Sequence, residues 1–366
     1  MSTDSFDESR DADRDMTGRK TKHIEICTDP AYDPEGGSAL FEHLSFRHRS
    51  LPEISWEEVK TDAEFLGRKV SLPLFISCMT GGSESSYAIN KDLARAAQTL
   101  GVPVGMGSIR ILFRQPESFA DFHLRPLAPD VPIFSNLGAQ QLVEERLRDN
   151  YKTLNEWNRR LEVDAQVIHL NPGQEVYQDH GDRDFRGIKD TLEDFIARSP
   201  RPVIVKETGF GIAPDEVDWL LKVGAASVDL AGAGGTNWLT VEAYRLDEVG
   251  YQSADAFREW GWPTALLLAA VGHRKGRVLA SGGLRSGLDL AKALVLGAHA
   301  GGFALPVVRA AKQGGAEAVV ALILGYVRAL KTAMILTSSR NLNDLRKAPL
   351  DMSREFEFRL KRLKKV

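Results

Sequence analysis

The sequence predicts a (β/α)8 TIM barrel with an N-terminal extension. Three observations carry that expectation. Eight short apolar runs recur between about residues 71 and 335. They are continuous rather than alternating, as expected of parallel strands buried on both faces. Amphipathic helical stretches separate them. A glycine-rich or polar motif follows each run at the same phase, where a barrel places its functional loops. The expected strands are Leu72–Ser77, Val102–Gly105, Pro132–Asn136, Gln166–Leu170, Val203–Lys206, Ser227–Leu230, Arg277–Ala280 and His299–Phe303. Helical stripes cover Ile89–Leu100, Gln141–Leu161, Phe185–Ala197, Pro214–Val223, Leu288–Leu296 and Ala316–Leu336. Pro214 followed by two acids suits a helix start. A doubly wound open sheet would need a G-x-G-x-x-G first turn, and Met79–Ser83 does not supply it.

Composition narrows the class. Of 366 residues, 43% are hydrophobic and 27% charged, enough for a core and a solvated surface. The net charge of -3 argues against a general nucleic-acid binder. Cys27 and Cys78 have neither disulfide-framework nor metal spacing. No apolar run reaches the roughly 18 residues of a membrane span, and the N-terminus does not read as a signal peptide. The expectation is a soluble cytoplasmic protein with no nucleic-acid or membrane partner. Residues 1–18 read as a disordered acidic tail, 19–70 as an extension covering the active site, 71–340 as the barrel and 341–366 as a charged C-terminal tail. Within the extension, residues 30–70 would form short helices or a small antiparallel ribbon over the mouth of the larger domain.

The strand ends carry the chemistry. In chain order they give Met79-Thr80-Gly81-Gly82, Gly107-Ser108-Ile109-Arg110, Asn136, His169 to Glu175, Lys206-Glu207-Thr208-Gly209, Gly234-Gly235-Thr236-Asn237, Ser281-Gly282-Gly283-Leu284-Arg285 and Gly301 to Leu305. Glycines let a backbone approach a ligand closely. Late barrel loops often hold a phosphate on backbone N–H groups, which points to a phosphate-bearing cofactor at Gly282-Gly283 and Gly301–Leu305. Lys206 would set a positive charge beside the electron-rich edge of a flavin. Upstream, Arg19, Lys20, Lys22 and His23 form a cationic cluster, readable as a solvated charge run or as an anion clamp.

Taken together, these motifs resemble the FMN-dependent type 2 isopentenyl-diphosphate isomerases. The resemblance rests on Arg-Lys-x-x-His-Ile at 19–24, Leu-Pro-Glu at 51–53, Met-Thr-Gly-Gly at 79–82 and Gly-Ser-x-Arg at 107–110. Asn-Leu-Gly at 136–138, His-Leu-Asn-Pro-x-Gln-Glu at 169–175 and Gly-Asp-Arg-Asp-Phe at 181–185 continue it. Lys-Glu-x-Gly-x-Gly at 206–211, Ala-Gly-x-Gly-Gly-Thr-Asn at 231–237 and Ser-Gly-Gly-x-Arg at 281–285 complete it. Gly-Gly motifs occur in many flavin barrels; Arg-Lys-x-x-His together with the His-Leu-Asn-Pro loop is far more specific.

The resemblance implies interconversion of isopentenyl and dimethylallyl diphosphate in isoprenoid biosynthesis, with reduced FMN as acid and base, Mg2+, and NADPH as reductant. It implies Met79, Thr80, Gly81, Ser108, Asn136, Lys206, Ala231 and Thr236 around FMN, and Gly282, Gly283, Leu284, Ala304 and Leu305 around its phosphate. Arg19, Lys20, His23, Arg110, His169, Asn171 and Gln174 would face the substrate. Glu175 would hold the metal, and Gln174 and Glu175 would serve catalysis. A homo-oligomer, tetramer or octamer, is also implied. Ile109, Gly173 and Ala231 depart from the usual pattern, and Gly173 leads us to expect a looser loop. The alternative is an FMN-dependent oxidoreductase of the 2-hydroxy-acid oxidase type. That chemistry needs a His base with an Arg near a late strand; neither Gly-Gly-Thr-Asn nor Gly-Gly-Leu-Arg contains a His.

Overall fold

Strands buried on both faces have one stable use, a sheet covered by helices or closed on itself. The computed structural model describes residues 18–79, 84–179, 181–272, 274 and 276–364. In it the sheet closes. Its strands are β1 (Leu74–Ile76), β2 (Val104–Ser108), β3 (Ile133–Gly138), β4 (Ala165–Leu170), β5 (Val203–Glu207), β6 (Ser227–Asp229), β7 (Val278–Leu279) and β8 (Gly301–Phe303). Each neighbouring pair runs parallel, in sequence order, and β8 returns to β1. A bridge between Ala280 and Gly301 closes the last seam. There the Ala280 N–H donates to Ala300 at 3.0 Å and the Gly302 N–H to Ala280 at 2.8 Å. All eight expected strands are present, with ends shifted by up to three residues.

The wall helices follow the expected stripes, with two differences. The stretch 141–161 is not one helix. It divides into Ala139–Asp149 and Lys152–Arg160, because Asn150 and Tyr151 are both left-handed, at φ 57° and 67°. Leu305–Leu336 starts eleven residues earlier than expected and is interrupted at Gly314–Gly315, where Gly315 has φ 62°. Contrary to the expectation that no stretch reaches membrane-span length, this helix is long and apolar enough to cross a membrane by length and composition alone. It packs against the helices Glu84–Leu100 and Gly287–Val295.

The extension divides between the two mouths of the barrel. The helix 18–28 lies at the C-terminal strand ends. The antiparallel ribbon Ala63–Phe65 with Arg68–Val70 does the opposite of covering the active site, as residues 19–70 were expected to do as a whole: it seals the N-terminal mouth. Phe65 fills that end, with ring centroids 5.4 Å from Phe134 and 5.7 Å from Phe75. Asp164, just before β4, pins the plug by accepting from Arg68 and Arg125, each at 2.6 Å. Phe65→Ala is expected to cost about 3–5 kcal/mol, the range for a buried Phe. Denaturant unfolding of the flavin-loaded protein measures it, and a loss below about 1 kcal/mol would contradict the plug.

The charged C-terminal segment is folded to residue 364 rather than a tail. Leu350–Met352 pairs antiparallel with Leu44–Phe46, and Arg354–Leu363 buries Phe356 and Leu363. The N-terminal and C-terminal segments thus brace each other beside the barrel.

Candidate active site

Three adjoining clefts open at the C-terminal strand ends. The first, of about 480 Å3, is lined by Met79, Lys206, Ala231, Thr236, Gly282, Gly283, Ala304 and Leu305, together with Cys78, Gly235, Trp238 and Arg285. The second, of about 530 Å3, gathers Arg19, Lys20, Ser108, Arg110, His169, Asn171, Gln174 and Glu175, together with Gln141 and Gln178. A small apolar passage joins them; it shares Lys20 with the second and Met79 and Trp238 with the first, and Ile24, Cys27 and Val308 line the rest of it with His23. Two larger grooves, of about 900 and 1100 Å3, share Leu170 and Pro172 in their linings and contain none of these cations. Size alone does not locate the chemistry here.

Backbone, not side chains, shapes the first cleft. Gly282 and Gly283 have φ 90° and 80°, where glycine alone is comfortable. A Cβ on Gly282 would stand 2.0 Å from the Gly232 carbonyl oxygen, and one on Gly283 2.4 Å from that of Gly234. The loops after β6 and β7 therefore press together, and the N–H groups of Gly232, Ala233 and Gly234 are spent inside the protein on the carbonyls of Ser281, Trp262 and Gly36. Lys206, at the end of β5, is nearly buried on the cleft floor. Beside it, Asp229 accepts from the Ser281 hydroxyl, whose oxygen lies 2.8 and 2.9 Å from the two carboxylate oxygens. Glu207 points the other way and ties its own loop. Its carboxylate accepts from the N–H groups of Gly209 at 2.6 Å, Gly211 at 3.1 Å, and Phe210. Burial pushes it up to about 6. That role accounts for the Glu in Lys-Glu-x-Gly-x-Gly.

In the second cleft, Asn171 is the N-cap residue and Pro172 the first residue of the short helix Pro172–Tyr177, which projects Gln174 and Glu175. Asn171 Nδ2 donates to Glu175 Oε1 at 2.9 Å and to Gln174 Oε1 at 3.1 Å, while its own buried Oδ1 has no hydrogen-bond partner among the described residues. Gly173 is not a loose point: a Cβ there would meet the Phe210 ring at 2.3 Å, so Phe210 fills the space. His169 Nδ1–H donates to Asn136 Oδ1 at 2.6 Å. Burial, with Lys206 and Lys20 nearby, pushes this imidazole down to about 3, so it is neutral. It offers a dipole, not a charge.

The helix 18–28 brings in the upstream cations. Ile24, Ile26 and Cys27 bury one face, and Arg309 Nε caps the far end by donating to the Cys27 carbonyl at 2.9 Å. The anchor is Glu242, which sequence reasoning missed. Asn237 starts the helix Trp238–Ala243, accepting from Leu239 at 3.0 Å and Thr240 at 3.1 Å. One turn on, Glu242 lies buried with Oε1 2.9 Å from His23 Nε2 and 3.0 Å from Gln174 Nε2, and with Oε2 on Arg245. Burial alone would raise this carboxyl; His23, Gln174 and Arg245 outweigh burial and hold it at about 2. The signal in the sequence was an acid amid Leu239, Val241 and Ala243, one turn past an N-cap Asn.

Not every expected residue lines the clefts. Leu284 turns its side chain into the core, so only its backbone is available. Asn136 sits behind His169. Ser108 belongs to the second cleft rather than the first, and it caps the turn bearing Arg110. His23 faces Glu242 and the passage. Thr80 and Gly81 lie outside the described residues, as does His273, which falls between β6 and β7 in the chain.

The model of the FMN-dependent dehydrogenase family matches residues 130–352. The isopentenyl-diphosphate delta-isomerase of Borrelia garinii subsp. bavariensis is 41% identical over 329 residues, 90% of this chain and 91% of its own. That of Thermococcus kodakarensis is 41% identical over 340 residues, 91% of this chain and 90% of its own. The chain belongs to the FMN-dependent isopentenyl-diphosphate delta-isomerase family. A solved Pediococcus acidilactici lactate oxidase (putative) is similar at TM-score 0.65 and 17% identity, covering 92% of this chain and 93% of its own, and at that identity it shows the barrel alone.

The isomerase-family site passes a test of fit to FMN on its own geometry. The glycine cradle leaves room only where no Cβ stands, it faces the late loops that hold phosphates in barrels, and Lys206 supplies a cation at the other end. For a divalent cation, no three His, Cys, Asp or Glu side chains converge among the described residues. Glu175, buried and without an ion-pair partner among them, with the orphaned Asn171 oxygen beside it, fits a hard ion that takes most of its oxygens from a ligand.

Proposed function

We propose that this protein interconverts isopentenyl and dimethylallyl diphosphate, moving a double bond by one carbon with no net redox change. The observation that carries the reading is the pairing of a glycine-cradled cleft with a cationic one through an apolar passage. A short hydrocarbon with an anionic end matches that shape. Reduced FMN, when bound, supplies the acid and the base of the double-bond shift, so the side chains need only bind and orient.

Arg19, Lys20 and Arg110 grip the diphosphate through charge-assisted bonds. Glu175 would hold Mg2+, which would supply positive charge to the diphosphate. Met79, Ile24, Val308 and Trp238 line the path of the five-carbon chain and exclude water, which strengthens every charge nearby. Gln174 bridges Asn171 to Glu242 and fixes the floor between the two ends. Glu242, held at about 2, stays ionised at neutral pH. Its work is to balance the cations, not to donate a proton. NADPH as reductant and a cytoplasmic setting belong to this reading. So does self-association, which the exposed Leu324 and Leu336 on the outer wall support.

Burial and the neighbouring Arg19 push Lys20 down to about 8. An ammonium is charged below its pKa, so diphosphate capture is full below about 8 and fades as pH rises through it. We expect kcat/KM to fall along that limb, and Lys20→Arg to push the limb upward because a guanidinium stays charged. A profile flat across that range in the unaltered protein would contradict the assignment. The function itself is tested by anaerobic incubation of the flavin-reduced protein with isopentenyl diphosphate and Mg2+. Dimethylallyl diphosphate should form, and chelation should stop it. No product under those conditions would overturn the reading.

A further inference from the structure

The motif Gly-Asp-Arg-Asp-Phe at 181–185 has so far no task. The structure brings its first Asp to the wall of the cationic cleft. Asp182 Oδ2 accepts from Gln141 Nε2 at 2.7 Å and lies 3.2 Å from Arg110 Nη1. The N–H of the same residue donates to Glu175 Oε2 at 2.9 Å. One residue therefore touches the guanidinium delivered by β2 and the carboxylate delivered by β4. The chain reaches this position only through Gly181, where a Cβ would stand 2.1 Å from the Glu175 carbonyl oxygen. Gln141 is itself buried, and its Oε1 rests against Gly138, where a Cβ would come within 2.2 Å. The donor that fixes Asp182 is thus fixed in turn.

We propose that Asp182 is a positioning residue that holds Arg110 and Glu175 at one spacing, so that the cation and the metal-binding carboxylate meet a single diphosphate together. The inference rests on the proposed function of the site. A guanidinium has five N–H donors; engaging Nη1 leaves the others for phosphate oxygens and removes rotamers that binding would otherwise have to freeze. At Glu175, Asp182 holds Oε2 while Asn171 holds Oε1. Both carboxylate oxygens are thereby oriented before a metal ion arrives. The rival is a resident anion that competes with diphosphate for Arg110. It has the opposite sign: removing the charge would tighten binding.

Asp182→Asn is the test. It should raise KM for isopentenyl diphosphate about tenfold or more, with kcat within about threefold and flavin content unchanged. Calorimetry with inorganic pyrophosphate and Mg2+ should show the same loss of affinity without any turnover. Asp182→Glu should recover part of it. Gln141→Ala, which keeps the charge but frees it, should raise KM by a smaller factor in the same direction, and it serves if the first variant does not fold. An unchanged or lowered KM and pyrophosphate affinity would overturn the proposal. Failure of the unaltered protein to isomerise would sink the proposed function instead, and the pyrophosphate measurement would still decide for or against Asp182.

Discussion

Glu242→Gln is expected to lower kcat/KM by about a hundredfold or more while the barrel stays folded and the flavin stays bound. The carboxylate is the only buried acid that reaches His23, Gln174 and Arg245 together among the described residues. It also offsets the charge of Arg19 and Lys20. Stranding one side of a buried ion pair costs about 3–5 kcal/mol, and each 1.4 kcal/mol is about tenfold in an equilibrium. Here the loss falls on the docking of helix 18–28, because among the described residues His23 makes that helix's one ion pair to the rest of the protein. The effect should therefore appear as a weakened diphosphate clamp in steady-state kinetics, with circular dichroism unchanged. Activity within about threefold of the unaltered protein would show that the helix docks without Glu242.

The second large effect is expected at Gly282. Alanine there must adopt φ near 90°, a conformation that costs an L-residue roughly 1–2 kcal/mol. The added carbon must also displace the backbone of Gly232, from whose oxygen it would lie 2.0 Å and from whose nitrogen 2.7 Å. Neither atom is the end of a flexible side chain. The loops after β6 and β7 would be forced apart, and the cradle they shape would be lost. The purified variant should be colourless, with FMN affinity reduced about a hundredfold or more. Gly37→Ala is the control. It has φ 61° but nothing within 4 Å of a Cβ, so it should lose only about 1 kcal/mol and keep its flavin. A yellow Gly282→Ala protein would place the phosphate elsewhere.

The barrel was legible in the sequence because a parallel strand shielded on both sides has no reason to alternate. Runs such as Val203–Lys206 announce themselves, and the end of each run then marks the active-site end of the barrel. Gly282 and Gly283 were legible for the same reason: their position in the rhythm gave them a task. Three features were legible in part or not at all. The sequence allowed a small ribbon over a barrel mouth, but residues 63–70 are short and mixed in charge, and only the closed barrel shows that the mouth is the N-terminal one, filled by Phe65. The strand Leu350–Met352 has its partner at the other end of the chain in Leu44–Phe46, which no local pattern encodes. Glu242 looks like an ordinary acid on a short helix; its burial follows from where helix 18–28 lands, a tertiary fact.

The division of labour in the site also became clearer with distances in hand. Sequence motifs placed His169 and Lys206 side by side in the list of polar strand ends. The structure gives them unlike roles, a neutral ring bonded to Asn136 and a buried ammonium on the cleft floor. Likewise Glu207, adjacent to Lys206, is spent on its own loop and is unavailable to substrate.

The central claim is that flavin and substrate meet here without exchanging electrons in net. It is tested most directly by following flavin absorbance and product together, anaerobically, after one reduction of the protein in the presence of Mg2+ and excess isopentenyl diphosphate. Many molecules of dimethylallyl diphosphate per flavin, with the flavin still reduced at the end, is the expected result. Product limited to one per flavin, with the flavin oxidised in step, would contradict it.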